Sequence, residues 1–566
     1  MIVSAISLWK KFNLKTPLGA SEWDMEERDG VKYSNVSYNG HTVKDGSVRI
    51  YARYIRSANE TKRPVILLLN DLGKLPDEEL ALYFVEKGYA VLMPDYSGKM
   101  STDGEGVQRT YYPPSLDYGN YERAKGLYDM ESLDADKTTW FEWTYVALYS
   151  IQYLKSRAEL GNIGVVGVRM GGELAWHAML SPDVKCGVPI NAAGWYSFLK
   201  IGKFSDSIAH NLSDDRHRYI AAVEAQSYAP YVKCPVLMLC ALRDRDFDCD
   251  RAYDTYSRIG APYDNALAYS PESGACIGQH GLANMDLFLE KQLKGREIYI
   301  PDTLNVVLKE TADGEIDIRV ECDKEGILEE AGIFYAEADV KTKSNYRDWR
   351  CVFKTDGRTV KNGVTGRKIK PFAGATAVFV YAYAKYINGF RVMSKIACKR
   401  LTHTNPNAVK SRIIFSGKEM DCFCVADHKD ASIGEIFLER EAVPKITTGY
   451  GDIKGAYSVG GIKTYKISSP RYVPDENALL EFDAYSKESQ ELRVTVEVAD
   501  MEREERYSCL VYVKGGGKWK RIILKAADFK GETYGTPLQS FHDGSSLTFD
   551  CAFEEHEFSI TNILWL

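Results

Sequence analysis

Apolar and polar positions alternate in two different rhythms along this chain. In the first half, continuous apolar runs are each followed by a helical pattern. Pro64-Val-Ile-Leu-Leu-Leu-Asn70, Tyr89-Ala-Val-Leu-Met-Pro-Asp95, Ile163–Val168, Cys186-Gly-Val-Pro-Ile-Asn191 and Pro235-Val-Leu-Met-Leu-Cys-Ala-Leu242 read as strands buried on both faces. Two strands precede them, Tyr33–Tyr38 and Val48–Ile55, joined through Lys44-Asp45-Gly46, and a short one follows near Ala266–Tyr269. Helices are predicted from Pro76 to Lys87, through Trp140, Trp143, Ala147, Ile151 and Leu154 on one face, from Ala252 to Ile259, and from the loop Gly278-Gln-His-Gly281 through Leu293. Strand and helix in alternation predict an α/β class, a doubly wound and mostly parallel sheet. Residues 96–137, tyrosine-rich around Tyr111-Tyr-Pro-Pro114, and 195–232 interrupt the rhythm as insertions. A connection that long in a compact domain is usually a lid, a binding loop or disorder.

The second rhythm is all β. Leu304–Leu308, Ile316–Val320, Gly332–Tyr335 and Trp349–Phe353 are short alternating runs, and Asn388-Gly389 is a strong hairpin signal. They predict an Ig-like sandwich. Further on, Leu492, Val494, Val496 and Val498 alternate with polar residues, Gly515-Gly-Gly517 marks a turn, and Phe558 to Trp565 ends the chain as a strand. A chain of 566 residues is too long for one core. The expected division is an α/β domain at 1–298, a β-sandwich at 299–403 and a second β domain at 404–566.

The sharpest local signal is Ile163-Gly-Val-Val-Gly-Val-Arg-Met-Gly-Gly-Glu-Leu-Ala-Trp176. A β run breaks at glycines and a helical pattern follows at once. This is the outline of a nucleophile elbow, Gly-x-Ser-x-Gly, in which a tight strand-to-helix turn presents one side chain. Gly167 and Gly171 stand at the flanking positions, where side chains would collide. The presented residue is Arg169, whose guanidinium stays protonated and cannot attack a carbonyl.

Met93-Pro-Asp-Tyr-Ser-Gly98, Gly167-Val-Arg-Met-Gly-Gly172, Ala241-Leu-Arg-Asp244 and Gln279-His-Gly281, in this order, give the first 295 residues a resemblance to α/β-hydrolases of the acetyl xylan esterase, cephalosporin-C deacetylase and dienelactone hydrolase type. The resemblance implies that His280 is the general base and Asp244 the carboxylate that orients it, with Asp246 or Asp248 as alternatives, while Arg169 occupies the nucleophile position. It also implies an oxyanion hole built from backbone N–H groups of Met170 and of the Asp71 and Leu72 turn. Arg169 either pairs with Asp244 and fills the site or turns it into an anion site for a uronate or phosphate. Ser97, Ser197, Ser273 and Cys276 are the other conceivable nucleophiles, none on an elbow.

The segment with Trp519-Lys-Arg-Ile-Ile-Leu-Lys-Ala-Ala-Asp-Phe529 and Ile560-Thr-Asn-Ile-Leu-Trp565 resembles galactose-binding-type jelly rolls used as carbohydrate-binding modules. X-Pro dipeptidyl peptidase-like hydrolases, which also end in a jelly roll, are a competing relative. Prolyl oligopeptidases are disfavoured because no propeller repeats precede the hydrolase half.

Composition narrows the partners. A net charge of −7 without a basic stripe argues against nucleic acid. No segment approaches the apolar length that crosses a bilayer. Asp244, Asp246 and Asp248 imitate the start of a calcium loop, but Cys249 and Thr255 stand where glycine and a bidentate acid are required, so no metal and no cofactor is expected. The 12 cysteines lack C-x-x-C spacing, and a reduced, cytoplasmic chain is the simpler expectation. The sequence thus predicts a carbohydrate-esterase-like protein, impaired or inactive because of Arg169, that binds a small ester or glycan. The rival reading is an active ester hydrolase or X-Pro peptidase-like enzyme with another nucleophile.

Overall fold

The structure, a computed structural model, describes residues 4–59, 62–72, 78–98, 109–205, 212–260, 263–271, 274–417, 422–426, 446–448, 453–500, 503–553 and 556–566. Ser273 and the start of the helix expected from Pro76 lie outside them.

The first half folds on one nine-stranded sheet. Its strands are β1 (Ser21–Arg28), β2 (Val31–Val43), β3 (Gly46–Ser57), β4 (Arg63–Leu69), β5 (Ala90–Pro94), β6 (Leu160–Val168), β7 (Val184–Ile190), β8 (Leu237–Ala241) and β9 (Ala266–Ser270). They lie in the order β1-β2-β3-β5-β4-β6-β7-β8-β9. Pairings are antiparallel as far as β3–β5 and parallel from there to β9.

β4 shows why its residues make a central strand. Val65, Leu67 and Leu69 fall in one hydrophobic cluster and Ile66 and Leu68 in the other, so alternate side chains fill opposite faces. The helix Glu78–Glu86 covers the second face and the helix Met170–Ala178 the first. The chain therefore leaves β4 and its neighbour β6 toward opposite faces. Such divergence opens a crevice beyond the strand ends, where α/β sheets bind ligands.

Several expected elements move. The hairpin of β2 and β3 is longer than its apolar core and pairs out to Val43 and Gly46. β1 has no apolar signature because nearly all of it faces solvent, and it is held by pairing to β2. The helix Thr139–Lys155 buries almost every side chain rather than one face. The reason is an N-terminal segment laid over its outer side, with Phe12 stacked on Phe141 at 4.5 Å. The helix expected at Ala252–Ile259 runs Cys249–Tyr256, starting just beyond Asp248. Gly278-Gln-His-Gly281 is not a loop but the first turn of the helix Gly278–Lys294.

Beyond residue 300 the described elements are β-strands with a few single 3-10 turns between them. One pair of antiparallel sheets has Asn305–Glu310, Ile316–Glu321 and Val364–Ile369 against Arg350–Asp356, Leu328–Ala338, Ala377–Tyr386, Arg391–Met393 and Ala397–Arg400. Asn388-Gly389 closes its hairpin, with Lys385 opposite Arg391 and Gly389 at φ 92°. This pair is fused to the first sheet, since Trp349, Phe379 and Tyr381 share a cluster with Leu67 and Trp176. Its seam includes a buried ion pair in which Arg347 donates to Asp250 at 2.5 and 2.7 Å. Two six-stranded sheets from residues 413–565 enclose a separate core containing Leu492, Val494, Val496 and Val498.

Candidate active site

The turn between β6 and the helix Met170–Ala178 is the strained corner that the glycines foretell. Arg169 sits at φ 48°, ψ −113°, a region non-glycine residues rarely occupy. Such strain costs about 1–3 kcal/mol and persists only where surroundings enforce it. They do so here by close approach. A Cβ on Gly171 would stand 2.1 Å from the Leu69 carbonyl oxygen, and one on Gly167 would stand 2.3 Å from that of Gly171.

At this corner the Arg169 guanidinium grips Asp244 with both arms, Nε to Oδ2 at 3.0 Å and Nη2 to Oδ1 at 3.1 Å. Asp244 is fully buried at the end of β8, and a two-pronged charged contact of this kind is among the stronger pairings available. The third nitrogen, Nη1, lies 3.8 Å from carboxylate oxygens of both Asp71 and Asp246. Burial opposes the Arg169 charge, but Asp244, Asp71 and Asp246 outweigh it and hold its pKa above the ordinary value. Burial pushes the Asp244 carboxyl up, with Arg169 pulling against it.

The turn after β4 faces the same corner, and its side chain matters as much as its backbone. Asp71 Oδ1 accepts hydrogen bonds from the N–H of Leu72 at 2.8 Å and of Met170 at 3.4 Å. Two of the three donors expected to form an oxyanion hole, those of Leu72 and Met170, therefore converge on the carboxylate of the third residue, Asp71.

His280 is placed elsewhere. Its Nε2 donates to the Tyr269 carbonyl at 2.9 Å, and among the described residues it makes no hydrogen bond to Asp244 or Arg169. Burial, with Arg391 adding repulsion, lowers its pKa to about 4, so the ring is neutral at pH 7. The rest of the acidic run is also taken by arginines: Asp248 by Arg251 at 2.5 Å, and Asp250 by Arg347. Among the described residues no group of three or more His, Cys, Asp or Glu is placed to hold a metal ion.

Of the other nucleophile candidates, Ser97 donates weakly to Asp95 at 3.4 Å. Ser197 gives its N–H to Glu224 at 2.8 Å. Neither touches a histidine among the described residues. Cys276 is half-buried just ahead of the helix carrying His280.

Three features of the site escaped the sequence pattern. The Asp71 side chain is one. Another is Glu504, from the last β unit, which accepts from Lys343 and Tyr346 at 3.1 Å each and lies 3.7 Å from Arg245, so all three parts of the chain meet beside Asp246. The third is Glu173, a charge on an otherwise apolar helix (Gly171-Gly-Glu-Leu-Ala-Trp176) that could have been flagged on that ground. It is buried beneath the corner and accepts from the N–H groups of Gly194 at 2.7 Å and Ala225 at 3.3 Å. Burial raises its pKa from 4.5 to about 8. Between those values the folded chain keeps a proton that the unfolded chain releases, so stability falls as pH rises and levels off above about 8. Glu173→Gln cannot titrate. Its melting temperature should decline less than the wild type's between pH 5 and 8, and parallel curves would refute the assignment.

Residues 50–263 match the model of the dienelactone hydrolase family. That stretch, which carries the corner, is similar to this family and has an α/β-hydrolase-like fold. No curated protein matches the chain. Among solved structures, acetyl xylan esterase 1 from Thermoanaerobacterium sp. JW/SL YS485 is 16% identical over 48% of this chain and 88% of its own, with a TM-score of 0.37. Acetyl xylan esterase from Paenibacillus sp. R4 is 19% identical over 51% and 92%, with a TM-score of 0.39. Among the described residues no helix is long and apolar enough to cross a membrane.

Proposed function

We propose that the hydrolase-type domain, read as residues 1–298, has given up ester cleavage at its corner and serves to bind a small ester- or glycan-type ligand. The observation that carries this reading is the bidentate Arg169–Asp244 pair. The reaction needs a deprotonatable hydroxyl at the corner and a carboxylate free to orient histidine. Here the corner residue is a permanent cation, and it occupies that carboxylate.

The local charge balance supports a neutral ligand over an anion. Arg169 is one positive charge among Asp71, Asp244 and Asp246, so the corner is net negative despite its arginine. In the same reading 299–403 is an Ig-like sandwich and 404–566 a galactose-binding-type jelly roll, which their paired antiparallel sheets support.

The full chain should show no turnover of p-nitrophenyl acetate beyond the uncatalysed rate. Turnover abolished by His280→Ala would mean that a hidden nucleophile works with this histidine, and the reading would be wrong.

A further inference from the structure

Glu173 is not the only buried acid beneath the Arg169 corner. Glu224 lies against the same loop, and the two side chains belong to residues 2% and 1% exposed. Neither carboxyl forms an ion pair with any described residue. Together they hold the stretch 191–197, where the chain leaves β7. Glu173 accepts from the Gly194 N–H at 2.7 Å, and Glu224 from those of Trp195 at 3.1 Å and Ser197 at 2.8 Å. Glu173 also accepts at 3.3 Å from the N–H of Ala225, the residue after Glu224. The two acids are therefore neighbours across one loop. That loop is strained, with Asn191, Gly194 and Trp195 at φ 50°, 75° and 68°, and only one of the three is glycine. It carries Tyr196, whose phenol lies within electrostatic reach of Asp71 and Asp244 at the corner.

We propose that Glu173 and Glu224 form a proton-controlled latch, which keeps this loop closed against the corner while Glu173 is protonated and lets it open as Glu173 ionises.

Two like charges buried side by side are not both kept without a cation. The surroundings supply none. Gln226 gives Glu224 a neutral amide donor. Tyr196 of the loop and Tyr219 of the helix Asp214–Ala222 face Glu173, and burial raises both phenols so that they stay uncharged. His177, one turn along from Glu173, bonds Thr144 and the Val223 carbonyl at 2.7 Å each, and burial lowers its pKa to about 4. Arg251 and Arg258 lie over the Trp195 ring at 5.8 and 5.0 Å but bond Asp248 and the Gln226 carbonyl instead. Burial, with Glu224 adding to it, holds the closed-state pKa of Glu173 at about 8. An opened loop returns Glu173 to water and to its ordinary 4.5. Opening between those values releases a proton, so base favours it, and the backbone strain pushes the same way. The latch involves the loop and its two acids alone, whether or not the corner binds a ligand.

Hydrogen–deuterium exchange of the full chain, corrected for the intrinsic effect of pH on amide exchange, tests the latch. Protection of the Gly194, Trp195 and Ser197 amides should fall on the order of tenfold per pH unit from about pH 6 to 8, the slope for one released proton, and then level off. These amides should exchange well before those of β4, because only the loop opens. Glu173→Gln has no proton to release and should flatten the profile. Glu224→Gln removes the second charge and should move the levelling-off to lower pH. Protection independent of pH, an unchanged slope in Glu173→Gln, an unmoved plateau in Glu224→Gln, or loop amides that exchange only together with β4 would each overturn the proposal.

Discussion

Arg347→Ala should lower the stability of this chain by about 3–5 kcal/mol, the usual cost of stranding one member of a buried ion pair. The side chains of Arg347 and Asp250 are only 1% and 5% exposed. Their two hydrogen bonds of 2.5 and 2.7 Å leave neither charge another solvation partner of comparable quality. The guanidinium carbon lies over Phe379, 3.5 Å from the ring centroid, and Arg243 donates to the Arg347 carbonyl at 2.9 Å. Removing the guanidinium therefore leaves the Asp250 carboxylate unpaired in the seam between the first sheet and the β-sheets that follow it. Replacing both partners should behave differently. Asp250→Leu/Arg347→Met removes both charges while keeping bulk, and should recover most of the loss. Urea denaturation of the three proteins decides it. An Arg347→Ala midpoint equal to the wild type's would mean that the seam does not depend on this pair.

That pair also shows where the sequence stops being legible. The alternation of strand and helix, the glycine corner and the Asn388-Gly389 hairpin could be read because each depends on residues adjacent in the chain. The corner was readable down to Gly167 and Gly171, whose absent side chains are demanded by contacts of 2.3 and 2.1 Å. The acidic run Asp244 to Asp250 was visible but could not be apportioned. Its partners are Arg169, Arg251 and Arg347, and two of those are distant in sequence. The fusion of the strand Ala377–Tyr386 to the first sheet through Phe379 and Tyr381 was hidden for the same reason, and so was the burial of both faces of the helix Thr139–Lys155. His280 could be placed before the last helix by motif, yet its hydrogen bond to the Tyr269 carbonyl depends on how that helix meets β9.

Arg169→Ser alone should yield no measurable esterase activity, and Arg169→Ser/Asp71→Ala should yield slow but real turnover. The single variant supplies a hydroxyl at the strained corner and frees Asp244. It leaves Asp71 Oδ1 on the N–H groups of Leu72 and Met170, at 2.8 and 3.4 Å. Those donors would have to stabilise the negative oxygen of a tetrahedral intermediate, and losing even one such donor costs about 10²–10³ in kcat. A carboxylate seated there is worse than a missing donor, because it opposes the developing charge as well as blocking its place. The double variant clears that position. Its activity should vanish on adding His280→Ala, since the neutral imidazole must leave the Tyr269 carbonyl to take the serine proton. A melting-temperature drop should accompany Arg169→Ser, because Asp244 is then buried without its cation. Equal turnover by the single and double variants would show that Asp71 does not occupy the oxyanion position in solution. The block would then lie in the arginine alone.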